Sequence, residues 1–215
     1  MRTKTLLLTA ALGLAAAATT VAQVYSVNAV GYVNVTFVKG WNLFANPLQN
    51  QTDNSIKGLF GDMPALTTIY KWTGTKWDVT VYYGDGEWDP PTLSAVPGEG
   101  IWVFIPADGP ATVKKTFVGE VLQGDASNMQ VKAGFQLLGS KVPQAGKLVT
   151  DLKFPADTLD TIYQWDPAAQ KYKTAAVHYG DNEWEPAEPV IGVAEGFWSL
   201  KEKAANWVRN FSVNP

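Results

Sequence analysis

Apolar and polar residues alternate along most of this chain with a period of two. Val27, Ala29, Gly31, Val33, Val35 and Phe37 share one parity; Asn28, Tyr32, Asn34 and Thr36 share the other, with Val30 the apolar exception. Period-two alternation rich in β-branched residues predicts a long strand over Val24 to Val38. Trp41, Leu43 and Ala45 then alternate with Asn42 and Phe44 until Pro47 ends the run. Thr67 to Trp72 and Lys76 to Tyr83 read as strands joined by the Thr73-Gly74-Thr75 turn. Gly100 to Ile105 reads as a buried strand stopped by Pro106, and Ala111 to Val121 alternates again. The one helical signal here is a single turn through Leu59 and Phe60, capped by Asp53 and stopped at Gly61.

The same order then repeats. Tyr83-Gly84-Asp85-Gly86-Glu87-Trp88-Asp89-Pro90 returns as Tyr179-Gly180-Asp181-Asn182-Glu183-Trp184-Glu185-Pro186. Thr68-Ile69-Tyr70-Lys71-Trp72 returns as Thr161-Ile162-Tyr163-Gln164-Trp165, and Glu99-Gly100-Ile101-Trp102 as Glu195-Gly196-Phe197-Trp198. Gly134-Phe135-Gln136-Leu137 matches Gly40-Trp41-Asn42-Leu43, Leu148 to Phe154 matches the helical turn, and Asn206 to Val213 is the last strand. The offsets are 96, 93 and 96 residues for the first three pairs, so the repeat is one unit with small loop changes. Phe117 to Val121 resembles both the end of the second unit and the start of the first, which suggests one strand shared at the junction. The expected fold is all-β: two tandem similar β-barrel or β-sandwich units in a pseudo-twofold arrangement, with one short helical turn each. Unit 1 spans 23–118 and unit 2 spans 119–215, after a signal peptide at 1–22.

That signal peptide is expected from Arg2 and Lys4, the short Ala-rich apolar run Thr5 to Ala18, and the small residues up to Ala22. The run is too short to favour a membrane span, so the chain is expected to be exported, with no membrane span after cleavage. Loss of Arg2 and Lys4 takes the basic count from 17 to 15 against 20 acids, a net charge of −5, and leaves Arg209 the only arginine. Nucleic acid is a poor partner for such a chain. The sequence has no cysteine, which removes disulfides, thiolate chemistry and Cys-based metal sites. Nine Trp, nine Phe and eight Tyr supply large buried areas for the core that must hold the fold instead.

The repeated Tyr-Gly-Asp segment carries the densest chemistry. Trp88 and Trp184, with Tyr83 and Tyr179, sit beside turn residues and the carboxylates Asp85, Asp181, Glu87 and Glu183. Aromatic faces beside hydrogen-bonding groups suit a sugar ring, with its flat apolar face and hydroxyl edge. Trp77 and its counterpart Tyr172 are secondary candidates, whereas Trp72, Trp102, Trp165 and Trp198 fit a strand core better. Alternating Asp85, Glu87 and Asp89, with Asp181, Glu183 and Glu185, give a weaker calcium reading, short of a later bidentate acid. Glu87 with Glu99, and Glu183 with Glu195, are the carboxylates for a glycosidase reading. Glu99 and Glu195 each enter a buried strand through a Glu-Gly turn, where a backbone hydrogen bond is the ordinary role. His178, the only histidine, corresponds to Tyr82 and reads as a strand residue. No catalytic constellation, cofactor or resident metal follows from these residues.

Val24-Tyr25-Ser26-Val27-Asn28-Ala29-Val30-Gly31-Tyr32-Val33 resembles the start of a large group of exported bacterial proteins to which no activity is assigned. Gly40-Trp41-Asn42-Leu43 with Pro47, Ile69-Tyr70-Lys71-Trp72, Gly98-Glu99-Gly100-Ile101-Trp102 and Lys141-Val142-Pro143-Gln144-Ala145-Gly146 are similar to the small β-module those proteins carry in tandem. The second unit departs from that pattern at Ser140-Lys141, where the first has Asn46-Pro47, so its first-strand exit is expected to differ. The resemblance implies a secreted, extracellular, cell-surface or periplasmic location. The expected function is non-catalytic binding or assembly at the cell surface; the alternative is a carbohydrate-binding module, with a glycosidase third. Polysaccharide, other surface proteins or, through edge strands, the chain itself are the expected partners.

Overall fold

The computed structural model describes residues 29–51 and 53–213. The expected signal peptide and the Val24–Asn28 start of the first strand lie outside the described residues. The first half carries β1 (Val30–Val38), β2 (Gly40–Ala45), the helix α1 (Ile56–Phe60), β3 (Thr68–Trp72), β4 (Trp77–Gly84), β5 (Glu87–Asp89), β6 (Gly100–Ile105) and β7 (Thr112–Glu120). Strands β2, β6, β3, β4 and β5 lie side by side in that order as an antiparallel sheet. Strands β1 and β7 form a separate antiparallel ladder, from Val30 opposite Glu120 to Val38 opposite Thr112.

Alternation decides which side of each strand is buried. In β1, Val33 and Phe37 point inward while Tyr32, Asn34 and Thr36 face solvent. Phe37, Phe44 of β2, Phe60 of α1 and Phe117 of β7 meet between ladder, sheet and helix. The Phe44 and Phe117 rings stack at 4.6 Å, and Phe60 stands edge-on to Phe117 at 5.3 Å. Ile69, Ile101, Val103 and Ile105 close this core from the sheet. Ser55 caps α1, its Oγ accepting the Gly58 N–H at 3.0 Å, and Asp53 holds Ser55 by accepting its backbone N–H at 2.7 Å. Asp53 thus supports the cap from two residues upstream, and Gly61 (φ 51°) ends the helix as expected.

The second half carries β8 (Met129–Val131), β9 (Gly134–Leu138), β10 (Gly146–Lys147), β11 (Thr161–Tyr163), β12 (Trp165–Asp166) and β13 (Lys171–Tyr172). It continues through β14 (Ala176–Gly180), β15 (Glu183–Glu185), β16 (Val190–Ile191), β17 (Phe197–Lys201) and β18 (Ala205–Trp207). Its five-stranded sheet runs β9, β17, β11, β14, β15. Under the sequence correspondence this is the order of the first sheet, strand for strand. A register shift between Tyr82 and Gly84 has its counterpart between His178 and Gly180. Strands β8 and β18 pair where β1 and β7 pair in the first half, over three residues instead of nine. The core there gathers Phe154, Phe197 and Trp207, whose Nε1 donates to the Leu152 carbonyl at 2.6 Å.

Several details differ from expectation. Both five-stranded sheets are open, so the barrel form is not adopted. Leu148 to Phe154 forms turns instead of a helix: the Lys147 carbonyl accepts from both Asp151 and Leu152, and Lys153 (φ 59°) leaves the helical region. The last strand stops at Trp207; Phe211 instead bridges to Gly124 and packs against the first core. Among the described strands β7 pairs with β1, with Glu120 at its end also bridged to Gln49, so β8 and not a shared strand opens the second half. The exit from the first strand of each sheet, expected to differ in the second half, is instead kept despite the change of residues. Asn46 Oδ1 accepts the Leu48 N–H at 3.1 Å and Ser140 Oγ accepts the Val142 N–H at 3.2 Å, the same side-chain-to-backbone turn.

The halves meet along a seam of reciprocal contacts. The Ala45 N–H donates to the Ala194 carbonyl at 3.0 Å, and the corresponding Gly139 N–H donates to the corresponding Gly98 carbonyl at 3.1 Å. Phe44 bridges to Glu195 as Leu138 bridges to Glu99. Trp165 Nε1 donates to the Trp41 carbonyl at 2.9 Å, and Trp72 Nε1 to the Phe135 carbonyl at 3.3 Å. Each of these contacts made by one half is returned by the other, as a twofold axis requires, whereas Gln170, bonded to the Trp41 backbone, has no counterpart among the described residues. The approach is close enough to need glycine: a Cβ on Gly139 would stand 2.1 Å from the Ala45 Cβ. Gly139→Ala is therefore expected to destabilise the protein by about 1–3 kcal/mol, read as a lower urea midpoint with unchanged slope.

One buried ion pair distinguishes the second half. Lys201, at the end of β17, is enclosed against Asp160; it also donates to the Pro155 carbonyl at 2.5 Å and lies 5.4 Å from the centre of the Phe154 ring. Asp160 further accepts from the Glu202 and Asp157 amides at 2.9 and 2.7 Å. The first half carries buried Thr67 and Ile105 at these two positions. Lys201→Ile alone is expected to cost about 3–5 kcal/mol, because it strands a buried carboxylate. Adding Asp160→Thr, which reproduces the first half, is expected to recover most of that loss in the same denaturation measurement.

Candidate functional site

The repeated Tyr-Gly-Asp segment forms the hairpin between β4 and β5 and again between β14 and β15. Asp85 (φ 54°) and Gly86 (φ 76°), and Asp181 (φ 49°) and Asn182 (φ 62°), take the paired left-handed conformations of a tight hairpin turn. Their residue types are those that tolerate this backbone, so the motif is accounted for by turn chemistry. Tyr83 and Tyr179 are exposed, as are Asp85, Glu87, Asp89, Asp181, Glu183 and Glu185. Among the described residues no such acids converge into a group able to hold a metal ion.

The tryptophans of this segment are not displayed. Trp88 is 3% exposed; it packs on Phe60 and Tyr82, and its Nε1 donates to the Gly61 carbonyl at 3.1 Å. Its ring is part of the first core and is closed to a sugar. Trp184 is half-buried against the second core, 4.8 Å from the His178 ring. The physical reason is parity: in the Glu-Trp-Asp and Glu-Trp-Glu strands the two acids face out, which turns the ring between them inward. His178 is a buried strand residue whose Nδ1 donates to the Asp157 carbonyl at 2.9 Å.

Glu99 and Glu195 also have structural partners. Glu99 accepts the Val96 N–H at 2.9 Å and pairs with Lys71 at 2.6 Å. Glu195 accepts the Gly192 N–H at 2.8 Å and the Gln164 side chain at 2.8 Å. Each carboxylate closes its own three-residue loop at the seam, in the backbone-bonding role expected of it.

The displayed aromatic surface lies elsewhere, on the sheet faces turned away from the cores. In β6, Ile101, Val103 and Ile105 are core residues, so Trp102 and Phe104 point the other way. Tyr70 and Trp72 of β3, Trp41 of β2 and Trp77 of β4 share that face. The second sheet offers Phe135, Tyr163 and Trp198, and the β12–β13 hairpin adds Trp165 and Tyr172. Because the seam joins these faces, the rings interlock: Trp165 stands edge-on to Trp102 at 5.1 Å, and Trp72 edge-on to Trp198 at 6.1 Å.

Two adjoining basins result. One, of about 430 Å³, is walled by Trp41, Tyr70, Trp77, Val79 and Trp102 of the first half with Trp165 and Tyr172 of the second. The other, of about 390 Å³, is walled by Phe135, Tyr163, Tyr172 and Trp198 of the second half with Trp72 and Trp77 of the first. Trp77 and Tyr172 line both, and they are 41% and 47% exposed. Among the described residues, no charged side chain lines either basin. Burial among the rings pushes the Tyr172 hydroxyl above the usual tyrosine range, opposed by a hydrogen bond with Trp198. The indole N–H groups of Trp41, Trp77 and Trp102 and the hydroxyls of Tyr70 and Tyr163 make no hydrogen bond among the described residues.

Contiguous exposed rings on this scale make this face the candidate contact surface. Of the sequence candidates, only the secondary pair Trp77 and Tyr172 belongs to it. Trp72, Trp165 and Trp198, assigned to the core from sequence, are half-buried members of the face, while Trp102 is nearly covered. The usable signal was the opposite parity of aromatic and aliphatic residues within Gly100–Ile105. Comparison of the chain with protein-family models, curated proteins and solved structures finds no match.

The relocation of the site is checked by stability. Trp88→Ala is expected to cost about 3–5 kcal/mol, whereas Tyr83→Ala and Tyr179→Ala should each stay within about 0.5 kcal/mol. Urea denaturation followed by far-UV circular dichroism reads both.

Proposed function

We propose that the protein acts outside the cytoplasm as a non-catalytic binding protein, with the aromatic face across the seam as its contact surface and polysaccharide as the partner class. The observation that supports this reading is the pair of uncharged, ring-walled basins in which Trp77, Tyr172 and Phe135 remain 41%, 47% and 49% exposed. A fold that buries four phenylalanines in one cluster has the means to bury these rings too; leaving them open has a stability cost that binding would offset. The signal-like N-terminus and the resemblance to exported tandem β-modules agree with an extracellular, cell-surface or periplasmic place. The carbohydrate reading thereby moves from the hairpin tryptophans to the sheet face. Among the described residues no helix is long and apolar enough to cross a membrane.

The test is retention of the purified protein on an isolated cell-envelope fraction from the producing cells. Trp77→Ala with Tyr172→Ala is expected to reduce retention at least about tenfold with the urea midpoint little changed. Retention equal to that of the unaltered protein would remove the aromatic face as the contact surface.

A further inference from the structure

We infer that the face is a site for a neutral glycan, with two subsites that hold successive stretches of one sugar chain. This rests on the aromatic face being the contact surface. The chemistry of the lining selects the ligand. Each basin offers flat rings for the apolar face of a pyranose, and each lies in the small-ligand range of roughly 300–1,000 Å³ at about 430 and 390 Å³. Unpaired indole N–H and phenol O–H groups point to a ligand rich in neutral oxygen acceptors along its edges. The uncharged lining among the described residues disfavours uronic-acid and sulfated chains, because it offers no cation to replace the water lost by an anion.

The twofold relation supplies the second half of the argument. The basins adjoin, share Trp77 and Tyr172 as a common wall, and are built from corresponding residues: Trp41, Tyr70 and Trp102 in one, Phe135, Tyr163 and Trp198 in the other. A chain that crosses the common wall fills both basins, and the second contact is made at high effective concentration. They are not equal. Trp41 has an indole donor where Phe135 has none, so the first basin holds its sugar more tightly.

Intrinsic tryptophan fluorescence, titrated with neutral oligosaccharides of two to six units (gluco-, xylo-, manno- and N-acetylglucosamine series), tests this. A proline-rich peptide and an oligogalacturonide serve as comparison ligands. One neutral series is expected to change the emission saturably, with affinity rising at least about tenfold from the disaccharide to the hexasaccharide. Trp77→Ala should lower hexasaccharide affinity at least about tenfold, and Tyr70→Phe about three- to tenfold through one lost hydrogen bond. Phe135→Ala should weaken the hexasaccharide and leave the disaccharide nearly unchanged. Equal affinity for every chain length would overturn the two-subsite arrangement. Envelope retention that depends on Trp77 and Tyr172 without any glycan response would overturn the glycan assignment and leave the contact surface standing. Binding of the peptide or the oligogalacturonide alone would do the same. Loss of both retention and glycan response would overturn the underlying reading as well.

Discussion

The seam between the two halves is the constraint on which the rest of the molecule depends. At Ala45 and Gly139 the two backbones come so close that one partner has no room for a side chain. Reciprocal amide-to-carbonyl bonds, Ala45 to Ala194 and Gly139 to Gly98, lock that approach from both sides. Gly100 and Gly196 also face the other half at short range, Gly100 against Leu137 and Gly196 against Phe44. With the backbones held there, the outer faces of the two sheets become one surface. The rings on each complete a basin begun by the other, and neither sheet could form such a basin alone.

This arrangement divides the aromatic residues into two populations with different work. Rings that share parity with the core aliphatics, such as Phe44, Trp88 and Phe197, are buried and contribute stability through area removed from water. Rings on the opposite parity pack against one another, Trp41 tilted by 45° to Tyr70 and Tyr70 edge-on to Trp77, and keep part of their surface open. Such contacts orient the rings against one another without burying them. Rings already held in place would lower the entropic cost of the proposed binding.

The two halves share topology but have diverged in how they satisfy polar groups. The first half ends Tyr82 and Trp88 on Asp62 and Gly61 at 2.9 and 3.1 Å. The second half carries His178 and Trp184 there, and His178 Nε2 and Trp184 Nε1 are buried with no partner among the described residues. It has instead the Lys201–Asp160 pair, where the first half has Ile105 and Thr67. Features found in both halves are thus turn, seam and sheet chemistry. Features found once are local solutions to packing.

Much of the fold was legible in the sequence because the physics that sets it is local. Period-two alternation located the strands, glycine and proline marked their ends, and the repeated segments showed that the second half would follow the order of the first. The hairpin at Asp85-Gly86 and the cap region before α1 followed from backbone preferences of single residues. The candidate site was less legible. Trp88 beside turn residues looked displayed, yet parity within a three-residue strand turned it inward, and so short a run gives parity little support. Trp72, Trp165 and Trp198 looked like core because they sit in expected strands, mostly beside apolar neighbours, and sequence does not say which face a neighbouring sheet will cover. Sequence by itself determined the strands, their order and the turn chemistry, all of which depend on residues close in the chain. Only the tertiary structure decided which rings stay open, because that depends on the twofold contact between residues far apart in the chain, such as Ala45 with Ala194 and Gly98 with Gly139.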